Sequence, residues 1–186
     1  TNGIFELRPF AFIKRGSKRT NFWGKSKPIN VYGNFKTMKS LKKRFDYCFK
    51  KIDIYPSIVK ANIFKKKFTL GKLNEKIQFN TIQAQHGNVK VTGYIFNKTA
   101  YLSDCSDLNI IKKNELKNLN YLIIDCLNTG GNAAHFGLNE CLLINTILKP
   151  KKMILTNIHY TMDYNSLSRL LPRNVVVAYD GLKLNL

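Results

Sequence analysis

Four short apolar, β-branched runs each close on a residue able to bind a cation or cap a turn, and this pattern constrains the 186-residue chain most strongly. The run 76–85 (KIQFNTIQAQ) leads into His86-Gly87, 99–103 (TAYLS) into Asp104, 121–124 (YLII) into Asp125, and 153–156 (MILT) into Asn157 and His159. A fifth run, 91–96 (VTGYIF), lies between the first two. Runs this short and this rich in β-branched residues read as strands. Shorter stretches at 29–32, 175–178 and 182–185 read the same way. Phe35, Met38, Leu41, Phe45 and Cys48 recur at three- and four-residue spacing, which predicts an amphipathic helix. A second helix is expected over 137–148, with Leu138, Cys141, Leu142 and Leu148 on its buried side and Lys149-Pro150 as its stop. A third is expected over 164–171, ended by Pro172. Strands interleaved with helices predict sheet layers covered by helices, an α/β (α+β) class.

Neither a repeat nor a Pro/Gly/Ser-rich linker interrupts the sequence, so 1–186 is expected to be a single domain. The most loop-like stretch is 14–28, where Phe22 and Trp23 either contact a ligand or subunit or simply pack a loop. With 44% hydrophobic residues the chain has enough apolar material for a core, which excludes wholesale disorder. Lysines and asparagines interrupt every apolar stretch before it reaches membrane-spanning length, so no membrane partner is expected. Residues 1–12 lack the plan of a signal peptide. The four cysteines show no Cys-x-x-Cys spacing, which argues against a zinc ribbon or disulfide framework and for reduced thiols in the cytoplasm.

The net charge of +20 points toward polyanions. The lysines are scattered, however, with dense groups only at Lys42-Lys43-Arg44, Lys65-Lys66-Lys67 and Lys149 with Lys151-Lys152. Solvated faces account for such scatter better than a nucleic-acid footprint, which would cluster with aromatics.

Polar groups at strand ends can converge at one rim of a sheet, where a His/Asp cluster binds a divalent metal. Each has a plainer reading. His86 and His159, taken singly, read more simply as capping or core histidines, while Asp104 serves equally as the cap of its own turn and His135 equally as an N-terminal residue of the following helix. Asp125 and Asp180 read most simply as turn residues or supports.

Taken in order, YLSDCSD (101–107), LIIDCL (122–127), HFGLNE (135–140), LTNIH (155–159) and YDGL (179–182), with His86-Gly87 before them, resemble metallo-β-lactamase-fold proteins. The similarity is strongest to the phosphoribosyl 1,2-cyclic phosphodiesterases. It extends to TNGIFELR (1–8) and LLP (170–172), and so covers nearly the whole chain. It implies a metallo-β-lactamase αββα sandwich with two divalent ions, zinc or manganese, at one edge. By position, His86 is implied as a ligand to one ion, Asp104 as the bridge, and His159 as the last ligand in place of a histidine where this chain has Asn157. His135 matches a catalytic histidine facing the substrate phosphate as a proton donor, with Asp125 and Asp107 as supports behind the ligands. Two such ions would lower the pKa of a shared water and clamp an anionic phosphodiester.

The family's His-x-His-x-Asp motif is absent, and no histidine remains to replace it. With Thr1 in place of an initiator Met, the expectation is a sandwich incomplete at the N-terminus: a fragment of a longer protein, or else an inactive remnant. These residues alone predict weak metal binding and negligible turnover. The expected partner is a small phosphorylated substrate such as a phosphoribosyl cyclic phosphate, with nucleic acid second and a homodimer left open. An RNA-processing nuclease of the same fold and a non-catalytic nucleic-acid-binding module are the alternative functions.

Overall fold

A computed structural model describes residues 2–13, 28–53, 55–71 and 75–185, and the chain divides into two compact units, Thr1–Lys65 and Lys66–Leu186. Residues 14–27 of the expected loop, with Phe22 and Trp23, lie outside the described residues. No helix among the described residues is long and apolar enough to cross a membrane.

The smaller unit opens with a 3-10 turn, Asn2–Leu7, and α1 (Arg8–Ile13). Strand β1 (Ile29–Gly33) follows, then α2 (Phe35–Arg44), α3 (Asp46–Phe49) and β2 (Val59–Ile63), which pairs parallel to β1. Asn34 starts α2 by accepting the Thr37 N–H at 2.9 Å, the usual service of an Asn at this position. The single helix expected through Cys48 is in fact two, because Phe45 leaves helical geometry (φ −133°, ψ 44°). Three consecutive cations, Lys42, Lys43 and Arg44, occupy the last turn of α2, where they favour a helix end. Apolar spacing carries across the break, so Cys48 is still buried beside Met38, Leu41, Ile58 and Val59.

The larger unit holds β3 (Lys67–Leu70), β4 (Ile77–His86), β5 (Val89–Phe96), β6 (Thr99–Leu102) and β7 (Tyr121–Asp125). After these come α4 (Leu138–Leu148), β8 (Lys152–Thr156), α5 (Tyr164–Leu170) and β9 (Val175–Val177). Among the described residues β3 to β9 form one seven-stranded sheet in sequential order. Pairing is antiparallel from β3 to β6 and parallel from β6 to β9. Asn97 and Lys98, both at positive φ, turn β5 into β6, as a two-residue hairpin requires. Parallel pairs need crossovers; 3-10 turns at Leu108–Lys112 and Asn114–Leu116 precede β7, and α4 and α5 supply the other two.

One face of this sheet is the core. Ala100, Leu102, Leu122, Ile124, Met153 and Leu155 pack with Cys141, Ile144 and Leu148 of α4 and with Ile110 and Leu116 of the 3-10 turns. Each fully buried Leu or Ile contributes roughly 1.5–3 kcal/mol. The opposite face carries an aromatic row, with Phe68 stacked on Phe79 at 5.1 Å and Phe79 against Phe96 at 4.9 Å. The strand expected over 182–185 is not formed. Gly181, at φ +91°, completes a turn closed by the Leu182 N–H on the Tyr179 carbonyl, and residues 182–185 then join no ladder.

Strands β4 and β6 are both antiparallel to β5, while β7 and β8 run parallel to β6. All four therefore point the same way, and their carboxyl ends share one rim, where ligand sites in such sheets form.

Candidate metal centre

Each strand end at this rim contributes one polar side chain. His86 is the last residue of β4, Asp104 stands two past β6, Asp125 is the last of β7, and Asn157 follows β8 directly. The fifth group, His135, comes from the loop 126–137 ahead of α4, and that loop is tightly pinned. Asn128 Oδ1 accepts the N–H groups of Gly130 and Gly131, and Asn132 Oδ1 accepts those of Ala134 and His135. Phe136 is buried, its N–H donating to the Cys105 carbonyl at 2.7 Å and its own carbonyl accepting from Leu127 at 2.8 Å. Gly131 lies against Gly137 so closely that a Cβ on Gly131 would sit 2.6 Å from the Gly137 nitrogen, and its φ is +66°. Only glycine serves there.

The consequence is a three-residue group. One donor atom from each of His86, Asp104 and His135 lies within 4.8 Å of the others. The two imidazole rings meet edge to face, 4.6 Å apart and inclined by 72°. His86 Nδ1 is 2.8 Å from the Ala134 carbonyl; a carbonyl only accepts, so Nδ1 carries the proton and Nε2 keeps its lone pair. His135 Nδ1 is 2.6 Å from Asp125 Oδ2; an ionised carboxylate also only accepts, which leaves the His135 Nε2 available. Asp104 Oδ2 accepts the Ser103 hydroxyl at 2.9 Å.

Behind this group lies Asp125, fully buried. Its Oδ2 also accepts the Cys105 N–H at 3.3 Å and its Oδ1 the Asn157 amide at 3.1 Å. Burial pushes its carboxyl above the usual carboxylate range, while His135, the Cys105 N–H and Asn157 pull the other way. Asn157, in left-handed backbone at φ +60°, donates to the Ser103 carbonyl as well, tying the ends of β6, β7 and β8 together. Burial pushes Cys105 up to about 12, and Cys141, hydrogen-bonded to the Asp125 carbonyl, is pushed far above the usual thiol range, chiefly by its hydrogen bond with Cys126.

Of the residues singled out in the sequence, His86, Asp104, His135 and Asp125 converge. His159 does not: its Nδ1 pairs with the Thr161 hydroxyl at 2.9 Å, its ring lies 4.2 Å from Tyr160, and it is outside the three-residue group. Asn157 takes the strand-end position, and His159 follows two residues on. Asp107 also stands apart, capping the 3-10 turn through the Asn109 N–H at 2.9 Å. Sequence reasoning missed the tie made by Asn157 and the two loop-pinning asparagines, although the string NTGGN (128–132) is a turn signal.

Two imidazole nitrogens and a carboxylate suit a first-row divalent ion. Every His, Cys, Asp and Glu of the sequence falls among the described residues, and these form no second group of three.

A sequence profile of the β-lactamase superfamily domain matches residues 3–160. The chain belongs to this family, the metallo-β-lactamase-fold hydrolases. No curated protein sequence matches. Among solved structures, a diphosphatase from the PhnP family is similar at 24% identity and a TM-score of 0.77, over 100% of this chain and 66% of the other. Unliganded yeast PDE1 is similar at 15% identity and a TM-score of 0.61, over 97% of this chain and 63% of that one. Human tRNase Z, short form, follows at 14% identity and a TM-score of 0.51, over 85% and 68%. At these identities the likeness is one of fold, and the chain spans less than two thirds of the length of the first two.

Proposed function

We propose that this chain is part of a metal-dependent phosphodiesterase whose substrate is a small cyclic phosphate, with a phosphoribosyl cyclic phosphate as the leading case. The convergence of His86, Asp104 and His135 at the carboxyl rim of a metallo-β-lactamase-fold sheet carries this reading. The PhnP-family structure, described as a diphosphatase, adds support for hydrolysis at phosphorus. A zinc or manganese ion held there would supply Lewis-acid stabilisation of phosphate charge and an activated water near neutral pH. The chain's own groups prepare the place for it. Ser103 orients Asp104, the Ala134 carbonyl fixes the His86 tautomer, and Asp125 fixes that of His135. The two ions implied by the resemblance call for donors beyond these three. Four free cysteines, all buried, support a reducing compartment such as the cytoplasm.

The test is hydrolysis of a ribose cyclic phosphate by the natural full-length protein, with and without chelator. Chelation and Asp104→Ala should each remove at least about 99.9% of turnover, as expected when a group central to transition-state stabilisation is lost. Turnover that persists in both His86→Ala and Asp104→Ala would sink the reading.

A net charge of +20 favours a second reading, an RNA-processing nuclease on the same fold. It predicts RNA binding that weakens steeply with salt, because phosphate contacts release counterions. Activity on small esters that ignores salt counts against it.

A further inference from the structure

We infer that the loops at the amino ends of β6 to β9 form a basic rim that binds the phosphate backbone of a base-paired nucleic acid. This rim lies at the opposite end of the sheet from His86, Asp104 and His135, so the inference goes beyond the phosphodiesterase reading and needs no particular chemistry there.

The lysines that the sequence scatters are sorted by the fold. Strands β6 to β9 run parallel, so their amino ends share one rim. Lys98 directly precedes β6, Lys117 stands just before β7, Lys149, Lys151 and Lys152 lie at the start of β8, and Arg173 stands just before β9. All six are exposed, and among the described residues none of them forms an ion pair. Acids collect at the other end, where Asp104, Asp107, Asp125, Glu140, Asp163 and Asp180 lie at or beyond the carboxyl ends of the same strands. Of the remaining acids of the larger unit, Glu115 is paired with Lys66 at 3.6 Å, and Glu75 precedes β4, outside the stretch from β6 to β9.

Backbone hydrogen bonds fasten these loops side by side. The Lys98 carbonyl accepts the Asn120 N–H at 2.8 Å, and the Leu119 and Asn120 carbonyls accept those of Lys151 and Lys152 at 3.0 and 2.9 Å. The Asn174 carbonyl accepts the Met153 N–H at 2.8 Å, while its side-chain amide donates to the Pro150 carbonyl at 3.3 Å. From β6 to β9 the rim covers three strand spacings, about 14 Å. That length matches about four successive phosphates of one duplex strand.

Two of the cations stand where glycine is the easier occupant. Lys98, at φ +55°, is the second residue of the β5–β6 hairpin, and Lys149, at φ +48°, ends α4. Asn-Gly is preferred in such a hairpin and Gly at such a helix end, so lysine keeps its charge there at a conformational cost. The loops 97–98, 117–120, 149–152 and 172–174 contain no aromatic residue, so unstacked bases find no platform. Exposed Asn97 and Asn118 add amide donors suited to phosphate oxygens. Cations and amides without rings fit a helix whose bases stay stacked inside it. Along β7 the two rims are about 13 Å apart, which keeps a bound backbone clear of His86, Asp104 and His135.

Fluorescence anisotropy of a labelled 16-base-pair RNA duplex with the natural full-length protein, in the presence of EDTA, tests this. Affinity should fall roughly a hundredfold between 50 and 200 mM potassium chloride, as release of counterions from about four phosphates requires. The pair Lys98→Gly and Lys149→Gly should weaken binding at 100 mM salt by at least about tenfold and flatten the salt slope by about two. Its melting temperature should equal or exceed that of wild type, a combination that a purely structural role would not give. Lys42→Gln with Lys43→Gln, which removes two exposed cations from the smaller unit, should leave binding unchanged. A DNA duplex of the same sequence shows which helix is preferred, and tighter binding of either duplex than of a single-stranded uridine 16-mer supports the inference. Equal losses in the two variant pairs would reduce the effect to net charge and overturn it. So would tighter binding to the single strand or to vesicles containing phosphatidylserine, or no duplex bound at 50 mM salt.

Discussion

The two units of this chain bury their cores on different scales. In Thr1–Lys65 the buried residues are Ile4, Ala11, Met38, Leu41, Cys48, Ile58 and Val59, around a two-stranded sheet. In Lys66–Leu186 a single cluster runs from Ile82 to Val175 along a seven-stranded sheet with α4 laid across it. All three histidines, and the whole candidate metal centre, belong to the second. A ligand group has to be held to a fraction of an ångström, which takes a rigid frame behind it. The larger core provides one; a two-stranded sheet is marginal without its helices.

Core truncation should show the largest difference. Phe136, 2% exposed, both packs the core and anchors the loop that carries His135. Phe136→Ala should cost about 3–5 kcal/mol and Met38→Ala, in the smaller unit, nearer 2–3 kcal/mol. Urea unfolding followed separately by probes in each unit checks this, and equal losses would erase the contrast.

Thiol chemistry offers a finer comparison. Burial raises the thiol pKa of Cys48 in the smaller unit and of Cys105 in the larger, so neither is a thiolate at pH 8 and labelling waits on local opening. Cys48 should therefore label first, with Cys105 and Cys141 slower by about tenfold or more, the ratio expected when opening costs differ by about 1.4 kcal/mol; mass spectrometry of timed maleimide reactions reads the order. The sign of the pH effect follows. A thiol raised from 9.0 to about 12 on folding stabilises the fold fully below pH 9, and that contribution is lost as pH climbs toward 12. Unfolding midpoints should hold level to pH 9 and fall above it, less steeply in Cys105→Ala.

The smallest expected effect is a gain. Thr99 is fully buried in β6, beside Phe96 on one side and Tyr121 on the other, and its hydroxyl has no partner. Thr99→Val should stabilise the larger unit by about 1 kcal/mol, since it removes a desolvated polar group at constant shape. A loss of stability in calorimetry would mean the hydroxyl is paired.

Much of the larger unit was legible in the sequence because its strands are apolar runs with turn residues at their ends. From Ile77 to Thr156 the five strands fall within two residues of the expected runs, and α4 starts one residue from its expectation. β3 was hidden by Lys65-Lys66-Lys67, a basic run that reads as solvated surface. The break at Phe45 was hidden for the opposite reason: apolar spacing continues across it unbroken. In the site, residue types at strand ends pointed to His86 and Asp104, since such ends converge whatever the loops do. The pairing of His159 with Thr161 could not be read, because it depends on the loop that follows the left-handed residue Asn157. The pairing of His135 with Asp125 was likewise invisible, as it depends on the loop 126–137, held by two asparagine caps.

Hydrogen exchange of the metal-free chain with and without zinc, followed peptide by peptide, is the most direct test of the central claim that His86, Asp104 and His135, at the rim of the larger unit's sheet, hold a metal ion. Slowed exchange around 83–90, 103–107 and 125–137, with Thr1–Lys65 unaffected, is the predicted result. Protection centred in 1–65 or around His159, or zinc binding that slows no peptide at the rim, would contradict it.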